Sequence, residues 1–212
     1  MNYWAEFKRR FSVDGGYAFL DAAGTVFEGA ARAVRSTMQR PRFGRLGRGS
    51  VVGKARLLGN PRFVFIGDGV TIRSNARLEA IRHYKGRMLE PRLEIGDRTF
   101  IEFDAHIACA KSITIERDVL IAAGAFISDH NHSLPAGGAH PLDGALETKP
   151  VRIGAGSWLG ERCTILPGVT LGKRCIVGAG AVVTRSFQDD SVIAGVPARL
   201  LRSREAPPPP QS

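Results

Sequence analysis

Cysteine is scarce in this chain: there are three in 212 residues, Cys109, Cys163 and Cys175, an odd number with no CxxC spacing. That excludes a disulfide framework and points to a reducing compartment, the cytoplasm. Long apolar runs are also missing. None approaches the roughly 18 residues a helix needs to cross a bilayer, so an integral membrane protein is not expected. The opening MNYWAEFKRRF has no apolar core behind its charges and is not expected to be a secretory signal. Acidic residues are few near the N-terminus. Residues 1–62 carry 12 Lys/Arg against 4 Asp/Glu, whereas the other 150 carry 18 against 16. The formal net charge of +10 therefore belongs to an N-terminal arm that includes RPRFGRLGR, from Arg40 to Arg48. Such an arm suits an anionic membrane surface or the acids of a neighbouring subunit. No nucleic-acid motif accompanies it, so nucleic acid is not an expected partner.

What the sequence has in abundance is a period of six. Ile153, Leu159, Ile165, Leu171, Val177 and Val183 fall six apart without a break. The period recurs at Ile66, Ile72 and Leu78, at Ile95, Ile101 and Ile107, and at Ile115, Ile121 and Ile127, giving 15 anchors in four phased blocks. Neither a helix nor a simple strand sustains such a spacing. It reads as a short strand and a turn per hexad, with the anchor inward and three hexads to a triangular coil. Small or short residues at the fifth position (Ser157, Cys163, Val169, Cys175, Ala181) let the chain turn its corners. Stacked coils then bury an aliphatic column that no single repeat could bury, which makes the fold all-β, a parallel β-helix of about five coils. Cys163 and Cys175 become small core residues.

The chain divides into a basic, helical extension (1–50), a β-helix domain (51–203) and a disordered, polyproline-like tail (204–212). Within the extension, Phe19, Leu20, Ala23, Phe27, Ala30, Ala31 and Val34 follow helical spacing, which predicts an amphipathic helix over 17–38. Its apolar face suits capping the open end of the β-helix or lying on a membrane. The period is interrupted by excursions at 79–94 and 128–150 and by a two-residue slip between Ile107 and Ile115. Loops on a rigid scaffold concentrate binding and catalytic groups, and the second excursion opens with Ser128-Asp129-His130-Asn131-His132. Histidine is the natural general base at neutral pH. A carboxylate or a carbonyl on its other ring nitrogen would fix the tautomer, with Asp129, Asp143 and Glu147 as candidates. His130 and His132 stand two apart on a loop, and neither His106 nor His140 completes an evident zinc set, so no metal is expected. No elbow-type GxSxG presents Ser128 or Ser133 as a nucleophile.

The anchors, this excursion, and the ending VRIGAGSWLG with IAGVPAR (Ile193 to Arg199) together resemble the hexapeptide-repeat acyltransferases. The nearest similarity is to the galactoside/maltose O-acetyltransferase type and the related polysaccharide O-acetyltransferases, over about residues 60–203. The resemblance implies a left-handed parallel β-helix, a homotrimer, and acetyl-CoA as co-substrate in the groove between neighbouring β-helices. It places the family's catalytic histidine on His132, with His130 second. Trp158, Gly160, Ala179, Thr184, Arg185, Pro197, Arg199 and Arg202 fall on its CoA-binding positions, and arginine suits phosphate by charge and fork geometry. On the acceptor side stand His106, in place of an asparagine of the galactoside-type enzymes, with Asp129 and Asn131. The expected activity is acetyl transfer to a hydroxyl of a sugar or glycan precursor by a ternary-complex mechanism. The alternatives are N-acetylation of an amino sugar or antibiotic, and a non-catalytic trimeric scaffold. The expected location is cytoplasmic, with a peripheral contact of the arm at the inner membrane face. Residues 1–60 and the 79–94 excursion have no counterpart in the family pattern.

Overall fold

A computed structural model of the chain describes residues 37–133 and 143–203, together with Val34, Gly137 and His140. The helix expected over 17–38 falls almost wholly outside these residues, as does the 204–212 tail. Val34 and residues 37–39 are helical, and a 3-10 turn, Arg40–Arg42, leads into the first strand.

The fold is the parallel β-helix that the hexads imply, with the left hand that the family resemblance implies, an exception to the usual right-handed crossover. Face one stacks Arg45–Leu46, Val64–Ile66, Arg92–Ile95, Ser112–Ile115, Val151–Ile153 and Thr170–Leu171. Face two runs from Val51–Val52 to Ser191–Ala194, and face three from Leu57–Gly59 to Val182–Val183. Strand pairing puts each anchor on the equivalent anchor of the next coil, as in Ile66↔Ile95, Ile101↔Ile121 and Ile127↔Ile165. All 15 anchors are at most 1% exposed. At roughly 1.5–3 kcal/mol per buried aliphatic side chain, this column is the main stabilising term of the fold.

The column is longer than the fifteen anchors. Leu46, Val52 and Leu58 form a coil before Ile66, and Phe187 and Ile193 continue past Val183. The spacing of six holds from Leu46 to Leu58. The 3-10 turn Pro61–Phe63 then puts the chain out of phase with Ile66, and the surrounding arginines make the segment read as arm. Arg199–Ser203 folds back antiparallel on Ser191–Ala194 and closes face two.

Corners explain the rest of the hexad. From Ile66 to Val177, the third residue after each anchor on faces one and two has a positive φ, filled by Gly69, Gly124 and Gly156 but also by Arg98 and Arg174. A side chain in that conformation costs on the order of 1 kcal/mol. Both arginines are tied to the next coil: Arg98 by paired 2.6 Å bonds to Asp118, and Arg174 by a 2.7 Å bond from Nε to Asp190. The small fifth residues are buried, as expected: Ser157, Cys163, Val169, Cys175 and Ala181 are each at most 1% exposed.

All three interruptions fall on one edge, where face three passes to face one. On successive coils this edge carries a hairpin (His83–Tyr84 with Arg87–Met88), a tight corner at 109–112, and a two-stranded ribbon (His130–His132 with Leu146–Thr148). The HNH segment stands at this edge.

Candidate active site

The ribbon is rooted by Asp129, the residue after the buried end of Phe126–Ser128. Asp129 is 0% exposed. Its Oδ1 accepts the Ala110 N–H at 2.7 Å, and its Oδ2 accepts the N–H groups of Lys111 and Ser112, also at 2.7 Å. Its carbonyl accepts the Lys149 N–H at 2.7 Å, closing the ribbon where the chain returns. Burial alone would raise the Asp129 carboxyl. The His130 hydrogen bond and the three N–H groups outweigh it and hold the carboxyl below the usual range. Asp129, expected beside the acceptor, is therefore an internal anchor with its oxygens already occupied.

The HNH segment is a strand rather than an irregular loop. It pairs antiparallel, His130 with Thr148, Asn131 with Glu147, and His132 with Leu146. Strand alternation puts His130 and His132 on one face of the ribbon and Asn131 on the other. His130 Nδ1 sits 3.1 Å from Asp129 Oδ1 and 3.3 Å from Ser128 Oγ, and the His130 side chain is 12% exposed. Ser128 is buried, and its hydroxyl donates to the His130 carbonyl at 2.9 Å, which leaves no free nucleophile there.

His132 is exposed, and none of the three expected carboxylates partners it. Its Nδ1 lies 2.9 Å from the hydroxyl of Tyr84, which also reaches the Gly144 carbonyl at 3.3 Å. Tyr84 stands at the end of the hairpin, 48 residues away in sequence. The two rings are 5.6 Å apart and inclined by 53°. Lys85 beside it reaches Asp143 at 3.8 Å. The sequence signal for this hairpin was Lys85-Gly86, the two-residue turn with both residues at positive φ that joins tight antiparallel strands.

His106 lies on face three, in register with Phe126, its ring 4.9 Å from the phenyl ring. Its Nε2 is 3.1 Å from Glu79 Oε1 but outside hydrogen-bonding geometry. Burial foremost, then Arg77, lowers its pKa against the opposing pull of Glu79. Trp158 stands outward on face two between Leu120 and Ile176; it is 48% exposed and Leu120 is 41%. Gly160 packs on the Ala179 main chain, and the Ala198 N–H bonds the Val182 carbonyl at 2.7 Å. Gly160, Ala179 and Pro197 thus share the edge between faces two and three. Thr184 and Arg185 instead follow face three at the ribbon's edge. Arg199 and Arg202 are exposed on the closing strand, with Arg199 Nη1 donating to the Ala198 carbonyl at 3.1 Å.

A separate groove on face one, lined by Arg45, Glu94, Glu116, Arg117, Arg152 and Lys173, includes none of these residues. Among the described residues, no group of three His, Cys, Asp or Glu is placed to hold a metal ion, and no helix is long and apolar enough to cross a membrane.

Residues 150–185 match the family described as bacterial transferase hexapeptide (six repeats). The putative lipopolysaccharide biosynthesis O-acetyl transferase WbbJ of Escherichia coli is 43% identical over 104 residues, covering 46% of this chain and 53% of that protein. The galactoside O-acetyltransferase of Escherichia coli is 34% identical over 112 residues, 52% and 53% of the two chains. Among solved structures, the hexapeptide-repeat containing acetyltransferase VCA0836 of Vibrio cholerae, complexed with acetyl coenzyme A, superposes with a TM-score of 0.58 at 26% identity over 82% of this chain and 78% of that one. The chain spans about half the length of the curated relatives it matches.

Proposed function

We propose that this chain, whose residues 150–185 carry the hexapeptide repeats of the bacterial transferases, is an acetyl-CoA-dependent acetyltransferase acting on a hydroxyl of a sugar or glycan precursor. The observation that carries the reading is the ribbon itself. Asp129 locks its root to the β-helix, and His132 stands exposed near the root with its Nδ1 already engaged. A rigid, accessible imidazole is what general-base chemistry requires.

In this reading His132 removes the proton of the acceptor hydroxyl as its oxygen attacks the thioester carbon. The tetrahedral intermediate collapses by breaking the C–S bond, and His132 returns the proton to the departing thiolate. His130, held by Asp129 and Ser128, orients the site beside it. Trp158, Gly160, Ala179, Thr184, Arg185, Pro197, Arg199 and Arg202 bind the CoA portion. His106 faces the acceptor, whereas Asn131, on the opposite face of the ribbon from His132, is turned away from it.

These residues lie on more than one edge of the prism. The outer side of face two also exposes an apolar column through Leu120 and Trp158. Both features support a homotrimer in which a second copy completes the groove. Hydroxyl acetylation is favoured over N-acetylation because the two curated relatives quoted above are named O-acetyl transferases. In this reading the enzyme works in the cytoplasm, with its basic arm at the inner membrane face.

A thermal melt with acetyl-CoA separates this reading from a scaffold. Ligand at 100 times its dissociation constant adds about 2.7 kcal/mol, and a shift that weakens without the 3′-phosphate assigns the basic residues to CoA. No shift at saturating acetyl-CoA would remove the enzyme reading. His132→Ala is expected to lower turnover at least about a hundredfold with acetyl-CoA affinity unchanged. A fully active variant would remove His132 as the base, and a dead His130→Ala beside it would transfer the role.

A further inference from the structure

Among the described residues, the 79–94 excursion supplies the hydrogen-bonding contact at the His132 ring. Its hairpin leaves the same edge as the ribbon, two coils earlier, and its tip reaches the 128–150 excursion at three residues. Tyr84 reaches His132 and Gly144, and Lys85 reaches Asp143.

The polarity of the Tyr84 contacts is decided by the carbonyl. A carbonyl oxygen only accepts, and a tyrosine hydroxyl has a single proton to give. The 3.3 Å bond to Gly144 uses that proton. The 2.9 Å contact with His132 can then be a hydrogen bond only if Nδ1 carries the hydrogen and the phenolic oxygen accepts it. Both contacts are satisfied together in one tautomer alone, with hydrogen on Nδ1 and the lone pair on Nε2. Neutral imidazole in water prefers the opposite tautomer. A base that must accept a proton at Nε2 gains from having that preference reversed before substrate arrives.

We infer that Tyr84 is a positioning residue that holds His132 as its Nδ1–H tautomer and aims the Nε2 lone pair outward from the ribbon. The role as base rests on the function proposed above; the tautomer does not. Tyr84 acts through His132 and need not touch either substrate. Lys85 and Asp143 form an exposed charged pair at the same junction, 3.8 Å apart, a weak contact that adds to the Tyr84 bonds.

The test is Tyr84→Phe in the full chain, which keeps the ring and removes only the oxygen. Ring ¹⁵N NMR at about pH 8, where an ordinary imidazole is neutral, reads the tautomer directly, and His132→Gln assigns the signals. In the parent protein the His132 Nδ1 signal is expected at the protonated position and Nε2 at the unprotonated one. In Tyr84→Phe the two should move toward each other or exchange. Turnover should fall about tenfold, with the KM for acetyl-CoA unchanged and the thermal midpoint preserved. Identical ring shifts in parent and variant would overturn the inference, whatever the activity. Lys85→Ala is the second variant: loosening the tip should move the same ring signals in the same direction by less, and a larger effect than that of Tyr84→Phe would show that the hydroxyl is not the controlling group. If the tautomer responds to Tyr84 while His132→Gln stays fully active, the positioning stands and the base assignment falls.

Discussion

Asp129 accepts the main-chain N–H of Ser112 at 2.7 Å, and through that bond the ribbon bearing both site histidines is fixed to the preceding coil. The same carboxylate takes the N–H groups of Ala110 and Lys111. The corner that breaks the hexad period therefore presents the donors that hold the ribbon in place.

Removing that carboxylate should be costly. Asp129→Ala leaves buried N–H groups without an acceptor, each worth about 1–3 kcal/mol, so a loss of about 3 kcal/mol or more is expected in denaturant unfolding. A change below about 1 kcal/mol would show that water replaces the carboxylate without penalty.

The same group sets a pH dependence. Its pKa in the folded protein lies below the unfolded value, so its contribution is complete above the unfolded pKa and is lost as pH falls through the folded one. Unfolding midpoints should be insensitive to Asp129 between about pH 8 and about pH 6 and decline below about pH 4. The acid decline should be shallower in Asp129→Asn than in the parent protein.

Gly154 stacks directly on Gly172. A Cβ added to Gly154 would lie 2.4 Å from the carbonyl carbon and oxygen of Gly172, which are backbone atoms that cannot swing aside. Gly154→Ala should destabilise by about 1–3 kcal/mol. Gly86→Ala in the hairpin turn meets open space, and its cost should come from φ alone, about 1 kcal/mol. Thermal midpoints of the two variants compare these effects, and equal shifts would discount the stacking.

The thiols should be silent in the native protein. Burial pushes Cys163 up to about 12 and raises Cys109 and Cys175 as well, and the thiolate is the reactive form. Titration with a disulfide reagent at neutral pH should detect no fast-reacting thiol until denaturant exposes all three. Rapid labelling of any one would place it outside the core.

Trp158 offers a test of the proposed groove. Half of its surface is exposed, so Trp158→Ala should cost little stability within one subunit, under about 1 kcal/mol. Acetyl-CoA affinity is expected to fall about tenfold in the same variant, measured by calorimetry. Unchanged affinity would remove Trp158 from the groove.

The sequence was readable where the physics is local and repeated. Each anchor recurs because each coil poses the same burial problem, so Ile66 to Val183 gave fold class, face and core. The two histidines stood out because the period stops just before them. The structure shows why the interruptions separate blocks of three anchors: three hexads close a coil, and each interruption falls on the same edge. The first coil was harder to see: Leu46, Val52 and Leu58 keep the spacing, but arginines surround them and Pro61–Phe63 breaks the phase.

By itself, then, the sequence determined a three-sided aliphatic column and the position of an HNH segment at one of its corners. It could not determine what holds each histidine. Asp129 reaches His130 but not His132, and Tyr84 reaches His132 from 48 residues away. No local rule connects those two residues. They meet because coils of unequal chain length return to the same edge, and only stacking in three dimensions turns a distance along the chain into a hydrogen bond.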